Sequence, residues 1–151
     1  MAGAHGDQTA TRLLNGKVLI TGEYGTSGGN DSSELYDPST DGFTGTGSLH
    51  TARQQHTATL LTNGMVLITG GLVSGPGISA SAELYDPSTG IFTSDGSMTT
   101  ERADGTATLL PNGKVLIAGG INSPNYLSST ELYDTSTGIF TAIRIARPHQ
   151  I

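Results

Sequence analysis

The chain has 151 residues, of which 34% are apolar and 5% aromatic, with 22 glycines, no cysteine and a formal charge of −6. Without cysteine it forms no disulfide, thiolate metal site or cysteine nucleophile, and its two lysines, Lys17 and Lys114, fall short of the basic footprint that nucleic-acid binding needs. The start, "MAGAHGDQTATRLL", has neither a basic region nor an apolar stretch, so a soluble chain with no signal peptide and no membrane span is expected, its compartment left open.

One unit of sequence is written three times. "TATRLLNGKVLITG" from Thr9 returns as "TATLLTNGMVLITG" from Thr57 and "TATLLPNGKVLIAG" from Thr106, so that Asn15, Asn63 and Asn112 stand 48 and 49 residues apart. A period near fifty, built of short apolar runs and Gly/Pro-rich turns, predicts an all-β repeat, radial or stacked, filling the chain as a single repeat region. Each unit opens on a strand such as Thr57–Leu61 and turns at Asn-Gly (Asn15-Gly16, Asn63-Gly64, Asn112-Gly113). That dipeptide predicts a type I′ hairpin turn with both residues at positive φ.

The next strand is continuously apolar: Val18–Ile20, Val66–Ile68, Val115–Ile117. An apolar run without alternation predicts burial on both faces, as in a sheet stacked between sheets. These runs, with Leu14, Leu61 and Leu110 beside them, are the expected core. Glycine ends the strand (Gly22, Gly70-Gly71, Gly119-Gly120), and a loop of variable sequence leads to a third strand ending in Tyr36, Tyr85 or Tyr133. Asp37 and Asp86 then start Asp-Pro-Ser-Thr turns, held by the Asp carboxylate on backbone N–H groups two residues on. A short fourth strand is centred on Phe43, Phe92 or Phe140, each seven residues after its tyrosine.

Glycine after an apolar strand, Tyr followed seven residues later by an aromatic, and Arg before the next unit resemble the kelch repeat, especially the bacterial form "HTATLL…NG.VL..GG…ELYDP.TG.F". The resemblance covers about His5 to Arg147. It implies a β-propeller in which each repeat is one four-stranded antiparallel blade, with blades at about 5–52, 53–101 and 102–147, a partial propeller. Three departures stand out: Glu23 for the second glycine, Phe for the family's usual Trp, and a third linker of seven residues from Phe140 to Arg147 against ten in the others.

A four-strand meander puts the Asn-Gly and Asp-Pro-Ser-Thr turns on one face and the second-to-third loops and inter-blade linkers on the other. The first face is nearly identical in all three units, while the second carries everything that varies, and variable loops on a repeated scaffold are where recognition usually lives. Candidate ligand-binding residues there are Tyr24, Arg53, Arg102, Asp104, Asn122 and Tyr126. The recurring Arg53, Arg102 and Arg147 have two readings: a fork of guanidinium groups for a carboxylate ligand, or blade-to-blade pairing with Glu34, Glu83 or Glu131. Recurrence favours the pairing. His5, His50, His56 and His149 are scattered, and no catalytic, cofactor or metal set is expected. Some kelch-like proteins are copper oxidases needing a cysteine–tyrosine crosslink, which this chain cannot make.

The expected function is a non-catalytic binding or scaffold module for a protein or carbohydrate partner. The alternative is part of a larger propeller enzyme, a carbohydrate-active oxidase or hydrolase, with its catalytic residues outside this chain. Propellers have about four to eight blades, so three units predict either a homodimer closing a six-bladed ring or completion by blades of a longer parent chain.

Overall fold

The structure, a computed structural model, describes residues 1, 6–23, 30–75 and 77–144. It contains three four-stranded antiparallel sheets in chain order. The first joins β1 (Thr9–Arg12), β2 (Val18–Glu23), β3 (Asn30–Asp37) and β4 (Gly42–Gly45). After the linker strand β5 (Arg53–Gln54), the second sheet joins β6 (Thr57–Leu60), β7 (Val66–Thr69), β10 (Ser81–Asp86) and β11 (Ile91–Ser97). Between its second and third strands lie β8 (Leu72–Val73) and β9 (Gly77–Ile78). The third joins β12 (Thr106–Leu109), β13 (Val115–Ala118), β16 (Thr130–Asp134) and β17 (Ile139–Ile143), with the hairpin β14 (Ile121–Asn122) and β15 (Asn125–Tyr126) inserted in the same way. The first strand of the middle sheet, β6, lies against both β1 and β12, so the sheets are arrayed as successive propeller blades with their first strands innermost. Among the described residues there is no helix, and so none long and apolar enough to cross a membrane.

The Asn-Gly turns form, but with a different backbone from the expected one. Gly16, Gly64 and Gly113 take positive φ, whereas Asn15, Asn63 and Asn112 do not. The N–H of Gly16 donates to Leu13 O (3.0 Å) and that of Leu13 to Lys17 O (2.8 Å), a three-residue loop in which only the glycine is left-handed. The asparagine serves through its side chain, Oδ1 accepting the N–H two residues on, at 3.0 Å in all three units. The second turn holds as expected: Asp37, Asp86 and Asp134 each accept a backbone N–H from the serine two residues on, at 2.8–2.9 Å. The same serines' hydroxyl groups, and after them their N–H groups, hold these three carboxyls below the usual carboxylate range.

Burial follows position in the stack. All of Val66, Leu67 and Ile68 are buried, but of Val18–Ile20 only Leu19 is, and of Val115–Ile117 only Val115 and Ile117. A strand alternates faces, so each blade offers one face to the blade before it and one to the blade after. Leu13, Leu19 and Leu49 of the first blade meet Val66, Ile68, Tyr85 and Phe92 of the second. Leu61, Leu67 and Met98 of the second meet Val115, Ile117, Tyr133 and Phe140 of the third. Each such side chain fully buried is worth about 1.5–3 kcal/mol. Leu14 is not part of the core: it is 74% exposed, and Leu13 takes the place of Leu61. Counted back from Asn-Gly, Leu14 stands where the other units have Thr62 and Pro111, inside the turn, and Leu110 is half-buried.

The glycines ending the second strands let the linkers pass. A Cβ on Gly70 would lie 2.3 Å from Arg102 O and one on Gly22 2.6 Å from Arg53 O, both at positive φ. The chain entering each blade therefore runs directly over the glycine of the blade before.

Candidate functional site

The linkers and the variable loops meet on one face. In β5, Arg53 pairs with Val73 and Gln54 with Leu72, and β8 pairs on with β9. In the third blade Ala103 bridges Ile121, with N–H···O bonds of 3.0 and 2.8 Å in the two directions. The first of these linkers thus becomes an edge strand for the loop of the blade it enters and the second bridges its loop at one residue, a pairing that the uneven loop sequences did not signal.

The two linker arginines are spent inside the protein. Arg53 is 0% exposed and donates to Gly70 O (2.8 Å), Ser81 O (3.1 Å), Ser81 Oγ (2.9 Å) and Glu83 Oε2 (2.9 Å). Arg102, also buried, repeats the set on Gly119 O (2.7 Å), Ser129 O (3.1 Å), Ser129 Oγ (3.1 Å) and Glu131 Oε1 (3.2 Å). The carboxylates are occupied from their other side by linker backbone: Glu83 accepts from His50 N–H (2.6 Å) and Thr51 N–H (3.4 Å), and Glu131 from Thr99 N–H (2.8 Å) and Thr100 N–H (3.0 Å). Burial pulls the Arg53 guanidinium below its ordinary value, opposed by Glu83. A buried pair of this kind contributes only where its hydrogen bonds are complete. Here they are arranged to clamp each linker to the blade that follows, which is the pairing reading of the recurring arginines, made with Glu83 and Glu131.

Next to the first clamp, His56 is buried between the first two blades, its Nε2 2.8 Å from Thr9 Oγ1. Burial, with Arg53 adding to it, pushes the imidazole down to about 3, so it is neutral near neutral pH.

What the face leaves exposed lies around the inner rim and on the third loop. Asp7, Gln55 and Asp104 occupy the same place in the three units, each two residues before its first strand, and each takes positive φ (58°, 53° and 54°). Gln55 N–H donates to Asp7 O (3.2 Å) and Asp104 N–H to Gln55 O (2.9 Å), a backbone ladder that crosses both blade boundaries. Of the sequence candidates, Asp104 is exposed on this rim, and Asn122 and Tyr126 share the β14–β15 hairpin bridged to Ala103 next to it. Tyr126 is 89% exposed. Arg53 and Arg102 lie beneath, turned inward. Tyr24 falls outside the described residues, as do Arg147, His5 and His149. The rim members Asp7 and Gln55 were not singled out in the sequence, because nothing in an Asp-Gln-Asp series announces a shared left-handed backbone.

The opposite face holds a hollow of about 360 Å³ between the first two blades, lined by Leu14, Asn15, Asn63, Met65, Asp86 and Pro87. Its one carboxylate, Asp86, is engaged by the Ser88 hydroxyl at 2.7 Å.

Residues 104–144 match the family description "Kelch motif". The matched stretch is the third unit of the repeat, and the first two units carry many of the same residues at the same spacing. The three blades align over 95% of the chain with a solved structure described as "Structure of YjhT", at a TM-score of 0.80 and 14% identity, covering 53% of that protein. A second match is to a novel fungal alcohol oxidase with catalytic diversity among the AA5 family, in complex with copper: TM-score 0.69, 19% identity, 91% of this chain and 30% of that one. The chain thus spans about half the length of the first and less than a third of the second, and at these identities the likeness is one of fold. No curated protein matches the chain.

Proposed function

We propose that this chain is a non-catalytic binding module whose contact surface is the linker-and-loop face, centred on the β14–β15 hairpin and the Asp7–Gln55–Asp104 rim. The observation that carries the reading is the division of labour on that face. The recurring linker arginines and their glutamates are buried in clamps, while the non-recurring Tyr126 and Asn125 are exposed, beside the exposed Asp104 of the rim. One exposed aromatic ring flanked by amides and a carboxylate suits a neutral or cationic polar ligand, a carbohydrate or a protein segment. An acidic ligand loses its appeal, because the guanidinium groups that would receive it are spent on Glu83 and Glu131.

The oxidase likeness supports a second reading, a part of a larger propeller enzyme. The copper belongs to that protein; among the described residues here, no group of three or more His, Cys, Asp or Glu is arranged to hold a metal. A glycan array and a basic-peptide library probed with the purified chain test the first reading. Tyr126→Ala should reduce any signal at least about tenfold, in line with an aromatic anchor of a binding surface, and Ser88→Ala on the opposite face should leave it unchanged. Signal lost only on Ser88→Ala would place the binding surface on the wrong face here.

A further inference from the structure

The two ends of the three-blade arc are two halves of one seam. The leading face of the first blade shows Val18, Ile20, Tyr36 and Phe43, the residues equivalent to Val66, Ile68, Tyr85 and Phe92 and to Val115, Ile117, Tyr133 and Phe140. In the second and third blades these are buried against the preceding blade; in the first, Phe43 is 39% exposed and the others half-buried. The trailing face of the third blade shows half-buried Leu110 and Leu116, equivalents of the buried Leu61 and Leu67 that receive the third blade. A face like the chain's own opposite end would continue the stack in the way the two internal seams are packed.

Two departures from the repeat fall at those two ends and are complementary. At the first internal seam the fourth strand's end meets the next blade's turn as glycine on glycine: Gly47 N–H donates to Gly90 O (3.0 Å), and a Cβ on Gly47 would lie 2.2 Å from that oxygen. The second seam repeats the approach, a Cβ on Gly96 falling 2.3 Å from Gly138 O. In the third blade the place of Gly47 and Gly96 is taken by Arg144, which is exposed, and in the first blade the place of Gly90 and Gly138 is taken by Asp41. Asp41 keeps the left-handed backbone of the glycines, at φ 57°. Seam hydrogen bonding changes at the same two ends. Tyr85 meets Thr46 Oγ1 of the preceding blade (2.8 Å), and Tyr133 donates to Asp95 of the preceding blade. The equivalent of Thr46 and Asp95 in the third blade is Ile143, which accepts nothing, and Tyr36 instead donates to Asp41 of its own blade (2.5 Å).

We propose that a second copy of this chain docks end to end with the first, the third blade of each against the first blade of the other, with Arg144 of one facing Asp41 of the other. Three blades at about 60° each span half a ring, so two copies related by a two-fold axis along the channel close six blades. The match of this arc to about half of a solved propeller-like structure fits that geometry. The proposal is independent of the ligand reading given above. At the closing seams the larger side chains hold the backbones further apart than glycine does, and an ion pair replaces the Gly47–Gly90 backbone bond. On the inner rim, Asp104 would approach the second copy's Asp7. Both carboxylates are exposed, where the high dielectric of water keeps their repulsion small.

Sedimentation equilibrium on the purified 151-residue chain, at micromolar concentration, should give twice the chain mass. Asp41→Arg or Arg144→Asp alone should weaken association at least about tenfold, and the two together should recover most of it, as for close interfacial charge pairs. The chain has no cysteine, so Asp41→Cys with Arg144→Cys in one chain gives an independent readout: mild oxidation should yield a covalent dimer. A monomer, a species larger than two copies, single reversals without effect, or a cysteine pair that leaves the chains uncrosslinked would each overturn the proposal.

Discussion

The middle blade and the first blade carry nearly the same residues and differ in how much of them is buried. Val66, Tyr85 and Phe92 are sealed, whereas Val18, Tyr36 and Phe43 at the same places are not. Sequence and sheet are matched in the two, down to the cross-strand aromatic pair: Tyr36–Phe43 at 5.1 Å and Tyr85–Phe92 at 4.8 Å, both tilted by 47°. The core of such a chain therefore belongs to the seams between blades and not to any blade by itself. The continuous Val-Leu-Ile run predicts burial on both faces only where blades stand on both sides.

The sharpest way to break that comparison is at the clamps that hold a seam together. Arg102→Met should cost about 3–5 kcal/mol, because Glu131 is left buried without its counter-charge; urea unfolding measures it. Replacing Glu131 by Gln as well should return part of the loss. A cost below about 1 kcal/mol would mean the pair is a surface one in solution.

The aromatic positions come next. Phe92→Ala should cost about 3–5 kcal/mol as a buried large-to-small change. Phe43→Ala, measured in dilute solution where the end face is uncovered, should cost roughly 1 kcal/mol, since most of that ring's burial is missing there. Equal costs would show that the blade and not the seam sets the burial.

The third effect is in the pH dependence. His56 is neutral in the folded chain with its pKa near 3 and ordinary, near 6.5, once unfolded. Between those values the unfolded chain binds the extra proton, so stability is complete above about 6.5 and falls on acidification by up to about 1.4 kcal/mol per pH unit. His56→Gln should flatten that slope in urea titrations between pH 4 and 6, taken as about the middle of the window.

Much of the fold was legible because it is written three times: the strand order, the Tyr-to-Phe spacing and the Asp-Ser turns all hold. The errors are local. Asn-Gly pointed to a type I′ turn, but a side-chain oxygen that can take the N–H two residues on let the asparagine keep an ordinary backbone. Leu13-Leu14 stands one place nearer Asn-Gly than Leu60-Leu61 and Leu109-Leu110 do, and only the count back from Asn-Gly separates core from turn. The clamps could be read as one of two alternatives, since a bond needed in every blade must recur. The Asp7–Gln55–Asp104 rim could not, because nothing in Asp, Gln and Asp at one repeat position marks a left-handed backbone. Asp41 and Arg144 take on meaning only once Gly47 and Gly90 are known to touch.

The central claim is that each end of the arc is half of a seam. The urea midpoint of the unmodified chain, measured over a hundredfold range of concentration (about two decades, enough to resolve mass action), tests it most directly. The account predicts a midpoint that rises with concentration, and a rise that shrinks in Phe43→Ala. A midpoint independent of concentration would contradict it.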